Sequence, residues 1–137
     1  MNIPVNNCTV FVQLWVDTNA LQNGSEQGVY LVDNRLNNGS QFEGTTNLST
    51  NATNGSNICW QIYDIDPNST THLAIQSIGN ASVFGASGQP ENANDGSGAY
   101  TGQVQATGSA SYTVNFTAKK PGSSGITTQV SPTLVVV

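Results

Sequence analysis

Along this chain apolar and polar positions alternate in short runs, and clusters of Gly, Asn, Ser and Pro separate one run from the next. A period of two marks half-buried strands, because successive side chains of an extended backbone point to opposite faces. The run Asn57–Asp66, Asn-Ile-Cys-Trp-Gln-Ile-Tyr-Asp-Ile-Asp, predicts a central strand. Ile58, Trp60 and Ile62 share one of its faces and Cys59, Gln61, Tyr63 and Ile65 the other, so both faces are at least partly covered, as inside a sandwich. Turn-formers bracket it, Asn54-Gly55-Ser56 before and Pro67-Asn68-Ser69 after.

The same pattern predicts strands over Thr9–Asp17, Gly28–Asp33 and Thr71–Ile78. Thr18–Gly28 is a loop with room for one helical turn from Asn19, and Asn38-Gly39 is a hairpin signal. Ser40–Gly55 is polar, with only Phe42, Leu48 and Ala52 as anchors, and predicts one short strand around Thr46–Ser49. Gly85–Gly98 holds no aliphatic side chain larger than Ala and predicts a long surface loop, the kind of segment that often carries function. Tyr100–Thr107 and Ser111–Ala118 alternate cleanly and predict a hairpin through Gly108-Ser109. Ile126–Val130 and Thr133–Val137 are extended, and the apolar Leu134–Val137 end is expected to lie buried between neighbours. No helical period persists, so the class is all-β: one antiparallel β-sandwich domain over residues 1–137, with jelly-roll and immunoglobulin-like topologies both open.

Composition sharpens the picture. Only 8% of the 137 residues are charged, against roughly 25% in ordinary domains, and Asn, Ser, Thr, Gly and Gln take their place. Such a surface repels copies of itself weakly and meets uncharged partners such as sugars with amides and hydroxyls. A formal charge of −5, with Arg35, Lys119 and Lys120 as the cations, excludes nucleic acid, whose binding rests on many phosphate-neutralising side chains. No apolar run approaches the roughly 20 residues of a membrane helix, and Met1-Asn2-Ile3-Pro4-Val5 has neither the basic start nor the apolar block of a signal peptide. The expected location is the cytoplasm, with any release following a route without a cleaved signal. Cys8 and Cys59 sit in apolar strand contexts and read as free thiols in preference to a disulfide. The many Asn-x-Ser/Thr triplets argue mildly against a eukaryotic secretory route.

The order of several motifs resembles the PixA/AidA family of bacterial inclusion-body proteins. They are Trp15-Val-Asp17-Thr18, Gly28-Val-Tyr-Leu-Val, Gly44-Thr-Thr-Asn-Leu48 leading to Ile58-Cys-Trp60, Ser77-Ile78, Val83-Phe84, Tyr112-Thr-Val-Asn-Phe116 and Ser131-Pro-Thr-Leu-Val135. The resemblance spans nearly the whole chain. It implies a cytoplasmic β-sandwich-like protein without an established enzymatic activity, of a kind that accumulates in crystalline inclusions in bacteria living with invertebrate hosts. A self-associating homo-oligomer or lattice is the corresponding expectation, and a host-directed, insect-active role would fit that ecology although no residue indicates it. The chain is shorter than the family pattern after the Val-Asp-Thr region and after Phe84.

No catalytic residue is expected. His72 is the lone histidine and reads as structural or surface. Glu26, Glu43 and Glu91 lie in polar loops unlike the apolar cleft that a glycosidase acid needs, and two cysteines with one histidine lack zinc spacing. Asp64 and Asp66, two apart on one side of a strand, would with Asp17 or Asp33 offer oxygen ligands to calcium, although Asp66 reads first as the cap of the Pro67-Asn68 turn. A glycan site needs an aromatic face and convergent polar groups. Its candidates are Tyr100 at the rim of the long loop, Trp15 and Trp60, with Asn94 and Asp95, although each Trp reads first as core.

Overall fold

The structure, a computed structural model, describes residues 2–137. Its eleven strands are β1 (Val10–Val16), β2 (Val29–Asp33), β3 (Ser49–Ala52), β4 (Asn57–Asp64), β5 (His72–Ile78), β6 (Glu91–Asn92), β7 (Tyr100–Gln103), β8 (Gly108–Ser111), β9 (Val114–Lys119), β10 (Ile126–Val130) and β11 (Thr133–Val136). They form a five-stranded sheet in the order β2-β1-β4-β7-β6 and two three-stranded sheets, β10-β9-β5 and β3-β11-β8. The all-β sandwich is therefore observed. Among the described residues no helix is long and apolar enough to cross a membrane.

Alternation is what places the core. Val10, Val12, Leu14 and Val16 of β1, with Ile58 and Trp60 of β4, are fully buried, and they join Val114 and Phe116 of β9 and Leu134 of β11 in one apolar cluster. Each fully buried side chain of this size contributes about 1.5–3 kcal/mol of transfer free energy, which is why a period of two selects the inward face so firmly.

The pairing is mixed where an antiparallel sandwich was expected. β1 runs parallel to β4, with Val10 opposite Ile58 through Val16 opposite Asp64, and β11 runs parallel to β3. Side-chain alternation is the same in parallel and antiparallel ladders, so it does not encode direction. The hairpin expected through Gly108-Ser109 does not form. Instead β7 pairs with β4, β8 with β11, and β9 with both β5 and β10. At Asn38-Gly39 the chain makes a 3-10 turn over Leu36–Asn38 closed by a left-handed Gly39, and the flanking strands part to different sheets. The short strand expected around Thr46–Ser49 lies at Ser49–Ala52.

Gly85–Gly98 is only partly the surface loop that its composition suggests. Gly88, Pro90 and Ala93 are buried, and Glu91–Asn92 adds a short strand to β7. The backbone provides the reason: Gly88 accepts the Gln103 N–H and donates its own N–H to Phe84, so the segment is tied down by main-chain bonds that need no aliphatic side chain.

On the outer face of the five-stranded sheet, residues preceding β1 cover one end. Ile3, Cys8, Cys59 and Ala99 form a second small buried cluster, flanked by Val5 and Phe11, and the Thr101 hydroxyl donates to the Ile3 carbonyl at 2.7 Å. The other end of that face, around Trp15 and Tyr63, lies outside this cluster.

Candidate functional site

Register on the open end of the sheet builds the arrangement with the most chemistry in it. Because β1 and β4 run parallel, Gln13 lies beside Gln61 and Trp15 beside Tyr63, all projecting outward. The Trp15 indole donates to Gln13 Oε1 at 3.1 Å and the Tyr63 hydroxyl donates to Gln61 Oε1 at 2.8 Å. The two rings stack at 4.9 Å between centroids and 26° between planes. Each strand thus presents a Gln and, two residues on, an aromatic ring bonded to it. Across β1, Tyr30 of β2 lies opposite Trp15 and is 44% exposed, so three aromatic side chains stand in one row.

Beside Tyr63 the sheet ends early. β7 pairs with β4 only from Asn57 to Trp60, so from Gln61 to Asp64 the backbone of β4 has no strand on that side. A cleft of about 330 Å³ opens there, walled by Gln61 and Tyr63, by His72 and Leu73 of β5, and by Asn92 and Gly96–Gly98 of the long loop. Sequence reasoning singled out the loop but missed the cleft. Its signal was the repeated spacing of Gln13-Leu-Trp15 and Gln61-Ile-Tyr63, which gains meaning only once β1 and β4 are known to be parallel neighbours.

The glycan candidates named from sequence do not share one surface. Trp60 is fully buried, and its indole donates to the Tyr112 hydroxyl at 3.0 Å, so its ring faces core. Tyr100 is half-buried, with its hydroxyl spent on the Gln76 carbonyl at 2.6 Å. Asn94 and Asp95 are exposed in the long loop, where hydrogen bonds from Ser97 hold the Asp95 carboxyl below its ordinary range. Trp15 alone of the set stands in the aromatic row.

The calcium set is likewise not assembled. No three His, Cys, Asp or Glu side chains among the described residues lie together as a metal-holding group. Asp17 accepts the Asn19 N–H, Asp64 accepts the Asp66 N–H and the Thr18 hydroxyl, and Asp66 accepts the Asn68 N–H. The three N–H bonds are turn-forming bonds from the backbone two residues on, and the Thr18 hydroxyl reaches Asp64 from across the fold, so each carboxylate is already engaged with the protein's own donors.

Both cysteines are free thiols. Burial pushes Cys59 up to about 12, helped by the neighbouring Cys8 and Asp95, and burial raises Cys8. Neutral, enclosed thiols are poor nucleophiles.

Glu43, expected in a polar loop, is drawn against Asp33 at the edge of β2. Its Oε1 accepts the Asp33 N–H at 2.8 Å, and the next residue, Gly44, donates to the Leu31 carbonyl, so the loop closes that strand edge. Asp33 Oδ2 and Glu43 Oε2 are each buried without a donor. One proton between two such acceptors satisfies both. Burial and the adjacent Asp33 accordingly push Glu43 up to about 7. Because the folded value lies above the unfolded 4.5, this contribution to stability is complete below pH 4.5 and is lost as pH rises through 7. After allowance for solvent screening the loss is about 1 kcal/mol. Glu43→Gln, whose amide supplies the donor at every pH, is expected to flatten that decline and to exceed the parent in urea midpoint at pH 8. Equal midpoints at pH 8 would remove the shared proton. Since the facing oxygens are buried, they are withheld from the small cleft of about 120 Å³ that Asp33 helps to line.

Comparison with known proteins completes the description. A family model described as a domain of unknown function (DUF8788) matches residues 8–124. No curated protein matches the chain. Among solved structures, the chain is similar to the crystal structure of an inclusion body protein, PixA, from Burkholderia cenocepacia J2315, with a TM-score of 0.73, 14% identity and 100% of each chain covered. At that identity the likeness is one of fold, and it extends over the whole length in which the sequence motifs resemble the PixA/AidA family.

Proposed function

The chain belongs to the DUF8788 family of unknown function, and from that premise we propose that it is a self-associating, non-enzymatic protein of the inclusion-body type, packing against copies of itself in the cytoplasm. The observation that carries this reading is the full-length likeness of its fold to an inclusion body protein. Two features of the surface support it. With three cations and eight anions in 137 residues, contact between copies meets little charge repulsion. Edge strands, moreover, are unevenly guarded. The β2 edge is closed by Glu43 and Gly44, and the β10 edge by Asn23 and Gly24, which bond to the backbone of Thr127. β8, Gly-Ser-Ala-Ser, pairs with β11 alone among the described strands and carries neither the charge nor the proline that usually blunts an edge.

Phe42 supplies an apolar contact. It is 62% exposed and held at φ 62°, a left-handed backbone that costs a bulky residue about 1–2 kcal/mol. Light scattering across a concentration series tests the proposal: mass rises with concentration and is indifferent to a chelator. Phe42→Asn, which tolerates the left-handed backbone and removes the ring, weakens that rise while folding at least as stably as the parent. A mass fixed at one chain across the series would overturn the reading.

A further inference from the structure

We propose that the cleft between β4, β5 and the 92–98 loop, with Tyr63 as its aromatic wall and Trp15 stacked on that ring, is a binding site for a neutral saccharide. It is independent of self-association, since it rests on the geometry of one chain. No carboxylate, lysine or arginine lines the cleft, which disfavours ionic ligands. What lines it is the set of groups that a pyranose uses. Tyr63 lines the cleft and is braced by the Trp15 ring stacked on it, so an aromatic side chain fixed in position is offered to a ligand. The electron-rich face of an aromatic ring complements the weakly positive C–H face of a sugar.

The polar groups are arranged to donate. Gln61 spends its carbonyl oxygen on the Tyr63 hydroxyl, and Asn92 spends its own on the Asn94 N–H at 2.8 Å, which orients both NH₂ groups as the remaining donors for sugar hydroxyls. Their rigidity matters because a side chain already locked by a hydrogen bond loses little entropy on binding. Gly96 and Gly98 complete the wall with φ of 84° and 75°, and a Cβ at either would meet open space, so the loop leaves room for a ring to lie against its backbone. At about 330 Å³ the cleft is at the lower end of the roughly 300–1,000 Å³ of small-molecule sites, suited to one sugar residue with the rest of a chain in solvent.

The two tryptophans make the test self-controlled, because Trp15 stacks on the Tyr63 ring that lines the cleft and reports any shift of that ring, whereas Trp60 is fully buried with its indole bonded to Tyr112. The intact chain, labelled with ¹⁵N, is titrated with maltotriose, cellotriose and chitotriose while the two indole N–H signals are followed. The expected result is a saturable shift of the Trp15 signal by at least one of the three, with Kd at or below about 1 mM, and a stationary Trp60 signal. Gln61→Ala and Tyr63→Ala then weaken binding about tenfold or more, with the Trp60 signal unmoved as proof that the core is folded. The inference is overturned if Trp15 is unmoved by all three sugars up to about 10 mM, if both indoles move together, or if Gln61→Ala binds like the parent. It is equally overturned if an uncharged peptide, such as the segment Ile126–Val130, shifts Trp15 where the sugars do not, since the open edge of β4 is then a strand-pairing site.

Discussion

Trp60→Ala is expected to cost about 3–5 kcal/mol, the largest single loss available in this chain. The indole is fully buried and meets Phe84 edge-on at 6.0 Å and 74° and Tyr112 at 5.7 Å and 68°, while Phe84 and Tyr112 meet each other at 6.3 Å and 74°. Three rings therefore close on one another, and each supplies the others' edge-to-face contact. Truncation removes two of these contacts, opens a cavity the size of an indole, and leaves the buried Tyr112 hydroxyl without the 3.0 Å indole donor. Burial already pushes that phenol well above its ordinary range. Against a total stability of about 5–15 kcal/mol this loss is large enough to unfold a marginal domain. Urea midpoints measure it, with Tyr112→Phe as the milder companion at about 1–3 kcal/mol, since it orphans the indole N–H and keeps the packing. A loss under about 1 kcal/mol in Trp60→Ala would mean that the ring cluster is not what holds the sheets together.

The second large effect is expected at Gly88→Ala. A Cβ there would stand 2.1 Å from the Gln103 carbonyl oxygen and 2.5 Å from that of Phe84, and both are backbone atoms that no rotamer change can move. The Phe84 carbonyl is the one that accepts the Gly88 N–H, and Gln103 is the β7 residue whose N–H donates to Gly88, so the clash falls on the residues that tie the 85–90 segment down. Relief requires the segment to lift, losing the Gln103–Gly88 bond and loosening Phe84, for about 2–4 kcal/mol. Gly24→Ala is the control. Its φ is 73° and its Cβ would meet open space, so only the backbone penalty of about 1–2 kcal/mol applies. Since Gly88 lies outside the left-handed region, a loss there no larger than at Gly24 would show that the segment yields to the close approach at little cost.

Much of the architecture was legible because burial writes itself into a period of two. β1, β2, β4 and β5 lie within the runs read from sequence, and Ile58 and Trp60 of β4, read as sharing one face, both point into the core. Partners were not legible. Tyr100–Thr107 and Ser111–Ala118 each alternate, and that fixes which face is buried without saying that the first joins β4 and the second β5 and β10. Gly102 illustrates what decided it: a Cβ there would come within 2.9 Å of the Gly88 carbonyl, so β7 accepts a backbone on one side that only the fold reveals. Site residues divide in the same way. The turn role of Asp66 followed from the local Asp-Pro-Asn sequence, whereas the Gln13/Gln61 and Trp15/Tyr63 pairs depend on a register between strands more than forty positions apart. Trp15 was the harder tryptophan to place: both read first as core, which holds for Trp60 but not for Trp15, because an aromatic residue in a strand carries no mark of which face it will meet.

The placement of β11 has a kinetic consequence. It is the middle strand of its sheet, parallel to β3 with Thr133 opposite Ser49 and antiparallel to β8, and without it those two strands have no link to each other. The last of these strands to leave the ribosome is thus the one that joins the sheet. Until it arrives, β3 and β8 wait with open ladders, and the closing step brings together residues more than eighty positions apart, a topology that folds in milliseconds to seconds rather than microseconds. During that interval the two open ladders and the apolar Leu134-Val-Val segment are exposed together, which is when a chain of this topology is most prone to misassemble.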